Sequence, residues 1–155
     1  MTKVNGQDAL TIRVMDITDY PRVYALWMSC KNMGFNNVDD SEEGIARYLR
    51  RNPNTCFIAE RDGRIAGVLL SGHDGRRGFI HHMAVAEDCR RLGIASALLD
   101  RALKALEAEG ITKVALLVFR RNEAGNAFWE SQGFTERTDL VYRNKALADL
   151  VRIDT

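Results

Sequence analysis

The chain has little proline, little cysteine and almost no net charge, and each shortage excludes something. Its 155 residues hold two prolines, Pro21 and Pro53, with no Pro/Gly/Ser-rich stretch, low-complexity segment or internal repeat. Nothing marks a linker, so the whole chain, 1–155, reads as one domain with its core over about 10–145. The three cysteines, Cys30, Cys56 and Cys89, are odd in number and show no Cys-x-x-Cys spacing. A disulfide framework and a zinc site are therefore not expected, no metal is implied, and a reduced, cytoplasmic protein is the simplest reading. Lys and Arg number 22 against 21 Asp and Glu, a net charge of +1. That is too little for a general polyanion-binding surface, so no nucleic-acid partner is expected. No apolar run approaches the ~20 residues needed to span a bilayer, so no membrane partner is expected. Residues 1–8 lack the apolar centre of a signal peptide. What remains is 46% hydrophobic and 28% charged, an ordinary globular balance.

Hydrophobic periodicity supplies the elements. Leu10-Thr11-Ile12-Arg13-Val14 alternates like a half-buried strand. Asp19-Tyr20-Pro21 opens a helix that places Val23, Leu26, Trp27 and Cys30 on one face. Residues 34–40 read as a polar loop, and Ser41 as the cap of a second helix ending before Pro53. A hairpin follows, with strands at 55–60 and 65–71 about the turn Asp62-Gly63, and a third strand at 79–85 completes a meander. Ala95, Leu98, Leu99, Ala102, Leu103 and Leu106 then recur at helical spacing, and Gly110 stops that helix. The nearly all-apolar run 114–119 reads as a strand covered on both faces, followed by a helix over 124–132 and short strands at 134–137 and 140–143. An antiparallel meander running into one parallel strand–helix–strand crossover makes the class α+β, with a mixed, mainly antiparallel sheet.

Chemistry concentrates where the third meander strand meets the long helix, at Val85-Ala86-Glu87-Asp88-Cys89-Arg90-Arg91-Leu92-Gly93-Ile94-Ala95. Gly93 and Ala95 allow a ligand close to the backbone, and the first amides of the helix have no intrahelical partner. With the helix dipole added, such a turn binds phosphate. Arg90 and Arg91 add charge there, and Arg120 and Arg121 emerge from the next, parallel strand at the same sheet end. The spacing points to a ligand with several phosphates; the competing reading is a set of solvated loop charges, preferred for Arg76 and Arg77 at the opposite end. A dinucleotide fingerprint is broken, since the full Gly-x-Gly-x-x-Gly is missing and Arg120 stands where an acidic residue would close the second strand. A P-loop is excluded by the lack of Gly-Lys-Ser/Thr.

Arg90-Arg91-Leu92-Gly93-Ile94-Ala95 resembles the Arg/Gln-x-x-Gly-x-Gly/Ala motif of the GNAT superfamily of N-acetyltransferases. Downstream, Asn122-Glu123-Ala124-Gly125-Asn126-Ala127-Phe128-Trp129-Glu130-Ser131-Gln132-Gly133-Phe134 is similar to the family's Asn-x-x-Ala…Tyr-Glu-x-x-Gly-Phe segment, and Met83-Ala84-Val85 to the end of its fourth strand. Small bacterial single-domain members, among them ribosomal-protein N-terminal acetyltransferases, resemble it most. The resemblance implies acetyl-CoA as donor substrate and a small-molecule or peptide amine as acceptor. The amides of residues Arg91, Leu92, Gly93, Ile94, Ala95 and Ser96 would hold its pyrophosphate, with Arg90 alongside. The pantetheine would run beside Met83, Ala84 and Val85, while Asn122, Phe128 and Trp129 would line its flank or thiol end. A homodimer through the last strands or the tail after Lys145 is also compatible with the family.

Acetyl transfer to an amine needs the amine neutral, a donor for the developing oxyanion, and a proton or hydrogen bonds for the departing thiolate. Much of the rest is positioning. His81 and His82 are candidates for the base, His81 first, because many relatives carry a glutamate at its position; alternation puts the two on opposite faces. The competing account for each is a packed strand histidine, and for His73 a solvated turn residue. Trp129 stands where many relatives carry tyrosine, and an indole N–H donates a hydrogen bond but is no practical acid. Tyr142 is the candidate catalytic residue in its place, against an ordinary strand tyrosine. The backbone N–H of Met83 or Val85 is the expected oxyanion donor. Cys89, next to the anion-binding turn, reads as inert. The loop 34–40 with Trp27 forms the expected substrate wall; Asp39, Asp40, Glu42 and Glu43 could attract an amine cation there, but the preferred reading is of acids favouring a helix N-terminus. Two other classes compete with the enzyme: a non-catalytic acyl-CoA-binding module, suggested by Trp129, and a nucleotide-binding domain.

Overall fold

The computed structural model describes residues 9–155, and the reading of residues 1–8 lies outside it. Five strands form one sheet: β1 (Thr11–Val14), β3 (Phe57–Arg61), β4 (Arg64–His73), β5 (Gly78–Val85) and β6 (Val114–Leu116), in the order β1-β3-β4-β5-β6. All neighbours are antiparallel except β5 and β6. A second, two-stranded ladder pairs β2 (Gly34–Asn36) with β7 (Arg152–Asp154). The helices are α1 (Tyr20–Ser29), α2 (Glu42–Arg51), α3 (Ile94–Ala108) and α4 (Glu123–Ser131). This is the mixed α+β sheet with one parallel crossover that the periodicity predicts.

Local chemistry explains each boundary. Asp16 and Asp19 form a reciprocal capping box around the 3-10 turn Ile17–Asp19, and Pro21 sits in the first turn of α1, where its missing N–H costs nothing. The Ser41 hydroxyl accepts the Gly44 N–H at 3.0 Å, Glu42 and Glu43 fill the first turn of α2, and Arg50 and Arg51 fill its last, each on the side its dipole favours. Asp62 and Gly63 both have positive φ, as the tight hairpin turn between β3 and β4 requires. In α3 the buried stripe is Ile94, Leu98, Leu99, Ala102 and Leu106. It packs on β3, β4 and β5, and a Cβ added at Gly67 would meet Ile94 and Leu98 at 3.0 Å. Five residues on, a Cβ at Gly72 would meet Asn52 at the end of α2, so α3 covers one face of the sheet and α1 with α2 the other. Trp27, Ile58, Val68, Leu69 and Leu98 are fully buried between these layers.

Three elements differ from the sequence reading. The stretch 34–40 is not wholly a loop: Gly34–Asn36 pairs with the C-terminal Arg152–Asp154. The apolar run after Lys113 pairs with β5 only as far as Leu116. No strand forms at 134–137 or 140–143; residues 135–152 are exposed throughout. Strand propensity there is real, but a strand exists only against a neighbour, and among the described residues these have none.

Candidate active site

The site begins where two parallel strands part. Gly78, Phe79 and Ile80 lie opposite Val114, Ala115 and Leu116, and beyond Ile80 the β5–β6 ladder ends. On the other side of β5, Ala86 donates to the carbonyl of Ala66 at 2.8 Å. Alternation then turns the N–H of Val85 away from β4 toward the gap left by β6. The loop carrying β2 closes over the same region, since a Cβ at Gly34 would meet the Phe119 ring at 2.8 Å.

The turn after β5 is built to leave amides free. Cys89 is buried beneath it at the end of a 3-10 turn, and Arg64 grips Asp88 through two bonds of 2.9 and 3.2 Å. Arg91 has φ +63° and Gly93 φ +76°, so the chain reverses twice before entering α3. Gly93 is the N-cap of α3 and brings no capping side chain. The first bond into the helix runs from Ala97 N–H to the Gly93 carbonyl at 3.0 Å. Among the described residues, the N–H groups of residues 91–96 have no protein acceptor, six donors in succession at the positive end of a 15-residue helix. Arg90, Arg91, Leu92 and Ser96 are exposed around them. This arrangement fits a polyphosphate-bearing ligand.

The remaining predicted residues are placed as follows. Asn122 caps α4, its Oδ1 accepting the Gly125 N–H at 2.9 Å. Phe128 and Phe134 pack edge-on against Trp129, which is buried. Gln132 at the end of α4 reaches the Ser96 hydroxyl at 3.3 Å, joining α4 to the anion-binding turn. Arg121 is spoken for: it bonds the Asn32 side chain at 3.0 Å and lies over the Phe119 ring. Arg120 stands in solvent beside Glu136. The Arg76 and Arg77 backbone amides close a turn on Asp74, as the solvated reading of that pair has it. His73 sits at the same turn, accepting the Gly75 N–H. Tyr142 is 63% exposed and makes no hydrogen bond or ring contact with the residues around the gap.

The two histidines correct the sequence reading. The β4–β5 register shifts between Val68 and Leu70, with one extra residue on β5, and His82 takes φ +51°. This bulge breaks the alternation that would set the histidines on opposite faces. Instead both meet the layer of α1 and α2. His81 lies edge-on to Tyr48 of α2 and beside Phe79. His82 packs between Trp27 of α1 and Phe35 of β2. Trp27 Nε1 donates to the His82 carbonyl at 3.0 Å, and the His82 Nε2 lies 2.6 Å from Asp40 Oδ1.

Asp40 is the residue that sequence reasoning missed. Among the four acids read as a helix N-terminus, it alone is buried. Its Oδ2 accepts the Asn36 N–H at 2.8 Å, and its carbonyl accepts the Tyr20 hydroxyl at 2.7 Å, so its carboxylate is fixed toward His82. Those two residues are 42 apart in sequence, and no local pattern joins them.

Burial, reinforced by neighbouring His82, pushes His81 down from its ordinary value to about 4. The unfolded chain therefore takes up a proton at this position below pH ~6.5 while the folded chain does not until about 4. Stability is expected to fall as pH drops through that window, by roughly 2–3 kcal/mol at most. Urea unfolding at pH 7, 5.5 and 4 measures it, and His81→Asn is expected to flatten the dependence.

The fold agrees with that of known proteins. Residues 20–134 match the model of the acetyltransferase (GNAT) family. An acetyltransferase of Pectobacterium atrosepticum is 34% identical over 140 residues, covering 90% of this chain and 97% of the relative. The ribosomal-protein-S18-alanine N-acetyltransferase of Escherichia coli superposes with a TM-score of 0.67 at 26% identity, over 84% of this chain and 80% of that one. A predicted acetyltransferase from Clostridium acetobutylicum, solved with acetyl-CoA, superposes with a TM-score of 0.65 at 18% identity, over 88% of this chain and 96% of that one. With the family model matching residues 20–134 and a relative 34% identical over 90% of the chain, the chain belongs to the GNAT acetyltransferase family and is an acetyltransferase.

Proposed function

We propose that the protein moves an acetyl group from acetyl-CoA to a primary amine, on a small molecule or a peptide, by direct transfer in a ternary complex. The observation that carries this reading is the row of six unpaired amides at residues 91–96, opening beside the point where β5 and β6 separate. Acetyl-CoA, when bound, supplies an acetyl thioester already activated for attack. The amides of Arg91, Leu92, Gly93, Ile94, Ala95 and Ser96, with the Arg90 and Arg91 guanidinium groups, hold the diphosphate. Met83, Ala84 and Val85 offer the free edge of β5, and the Val85 or Met83 N–H donates to the developing oxyanion. Asn122 sets the start of α4, and Phe128 and Trp129 shape its flank; the Trp129 N–H donates a hydrogen bond but no proton.

The base is better served by His82 than by His81. His81 lies under Tyr48 with its proton affinity suppressed by burial. His82 presents Nε2 to Asp40, which fixes that nitrogen as the N–H and leaves Nδ1 as the acceptor. Nδ1 makes no hydrogen bond to the described residues. A carboxylate behind an imidazole stabilises the imidazolium formed when the amine gives up its proton. The three buried, unpaired cysteines fit a reducing, cytoplasmic setting.

The test is turnover. Acetyl-CoA is offered with peptides bearing free N-termini, lysine peptides, polyamines, amino acids and aminoglycosides, and acetylated product and free CoA are both measured. One acceptor class is expected to react with one CoA released per acetyl group transferred. Binding of acetyl-CoA with no acceptor turned over would replace this reading by the non-catalytic acyl-CoA-binding module, which Trp129 in the tyrosine position favours.

A further inference from the structure

Arg120 and Arg121 are neighbours in sequence but part company in the fold. Arg120 stands in solvent beside Glu136. Arg121 turns toward the loop that follows α1, where its Nε donates to Asn32 Oδ1 at 3.0 Å and its guanidinium lies 4.3 Å from the centre of the Phe119 ring. Asn32 has φ +63°, so that loop reverses at the residue Arg121 holds. The Phe119 ring lies against Gly34, and Phe35, the next residue, packs on the His82 ring at 4.6 Å. Arg121 therefore faces the side of the gap where α1, β2 and His82 lie. The free amides of residues 91–96 open α3, which covers the other face of the sheet.

The bond to Asn32 uses one of the five guanidinium donors. Among the described residues, the two terminal nitrogens of Arg121 have no hydrogen-bond acceptor and no carboxylate within ion-pair distance. Asp154, whose carboxylate also reaches Gly34, is taken by Arg152 at 2.7 Å. Lys31, next to Asn32, is exposed and adds positive charge to the same loop. A guanidinium set by a ring and by one side-chain bond, with its fork left open, is pre-organised for an anion. We propose that Arg121 selects the amine: it binds an anionic group, carboxylate or phosphate, carried by the same molecule as the amine that takes the acetyl group. This rests on the acetyl-transfer reading above and names the class of amine that the site prefers.

Matched amines test it with acetyl-CoA at saturation: amino acids against their amides, phosphoethanolamine against ethanolamine, and peptides whose second residue is glutamate or glutamine. At least one pair is expected to show kcat/KM about 10- to 100-fold higher for the anionic member, the size of a hydrogen bond to a charged group. Which pair responds tells carboxylate from phosphate. Arg121→Gln is expected to bring that ratio near 1, and Arg121→Lys, which keeps the charge, to restore part of it. If Arg121 only held the loop, Arg121→Gln would slow both members alike and leave the ratio in place. Calorimetric binding of the same pairs in excess CoA reads the preference without turnover. An anion preference that depends on Arg121, with no acetylation, would keep this site and remove the transfer reading. A wild-type ratio near 1 in every pair, a ratio unmoved by Arg121→Gln, or no binding of either member of any pair would each overturn the proposal.

Discussion

Replacing His82 by alanine is expected to lower kcat by about 100-fold or more, the size of a lost general base. The substitution removes an imidazole held 2.6 Å from the Asp40 carboxylate, at the point where β5 has left β6. The loss should be partly rescued by added imidazole, since the missing group is a proton acceptor and the space it leaves is bordered by Trp27 and Phe35. Acetyl-CoA binding should be unchanged, because the amides proposed to hold the diphosphate belong to the following turn. Asp40→Asn should slow turnover less, as it keeps the shape but withdraws the charge that stabilises the imidazolium. His81→Asn is expected to leave kcat within a few-fold. Stopped-time product assays on the three variants check this; a normal His82→Ala enzyme with a dead His81→Asn enzyme would return the base to His81.

The largest expected effect on stability is at Trp27. It is fully buried, packs against Phe35 and His82 at 5.3 and 5.1 Å, and donates its indole N–H to the His82 carbonyl. Trp27→Ala is expected to cost about 3–5 kcal/mol, through lost burial and the cavity left behind. Against a total stability of about 5–15 kcal/mol, that is a large share, visible as a drop of the urea midpoint. Trp27→Phe separates packing from positioning. It keeps much of the apolar volume but orphans the His82 carbonyl, a loss of about 1–3 kcal/mol. Because that carbonyl belongs to the left-handed residue of the bulge, the phenylalanine variant should remain folded yet turn over more slowly than its stability alone explains.

How much of this was legible in the sequence depends on distance along the chain. The α3 stripe of Leu98, Leu99, Ala102 and Leu106 is a helical period, and the turn before it announces itself through Gly93 between two arginines and a helix. Ser41 and Pro21 act locally, within three residues, and are read locally. The His82–Asp40 contact is different. It depends on a bulge that no glycine marks, since a histidine holds the positive φ, and on the loop between α1 and α2, which is 42 residues away in sequence. The ladder of β2 with β7 joins three-residue segments too short to show alternation, near opposite ends of the chain. The segment at 140–143 shows the reverse limit. Its residue types favour a strand, but propensity cannot say whether a neighbour exists, and among the described residues none does.

The central claim is that the Gly93 turn and the gap beside it hold acetyl-CoA. Thermal unfolding with acetyl-CoA, CoA, NAD and ATP in parallel tests it most directly. A ligand at ~100 times its dissociation constant adds about 2.7 kcal/mol to stability. Acetyl-CoA and CoA are expected to raise the midpoint, and NAD and ATP to leave it in place. Silence toward both CoA species at saturation, with a rise in NAD or ATP, would contradict the account at residues 90–96, where it begins.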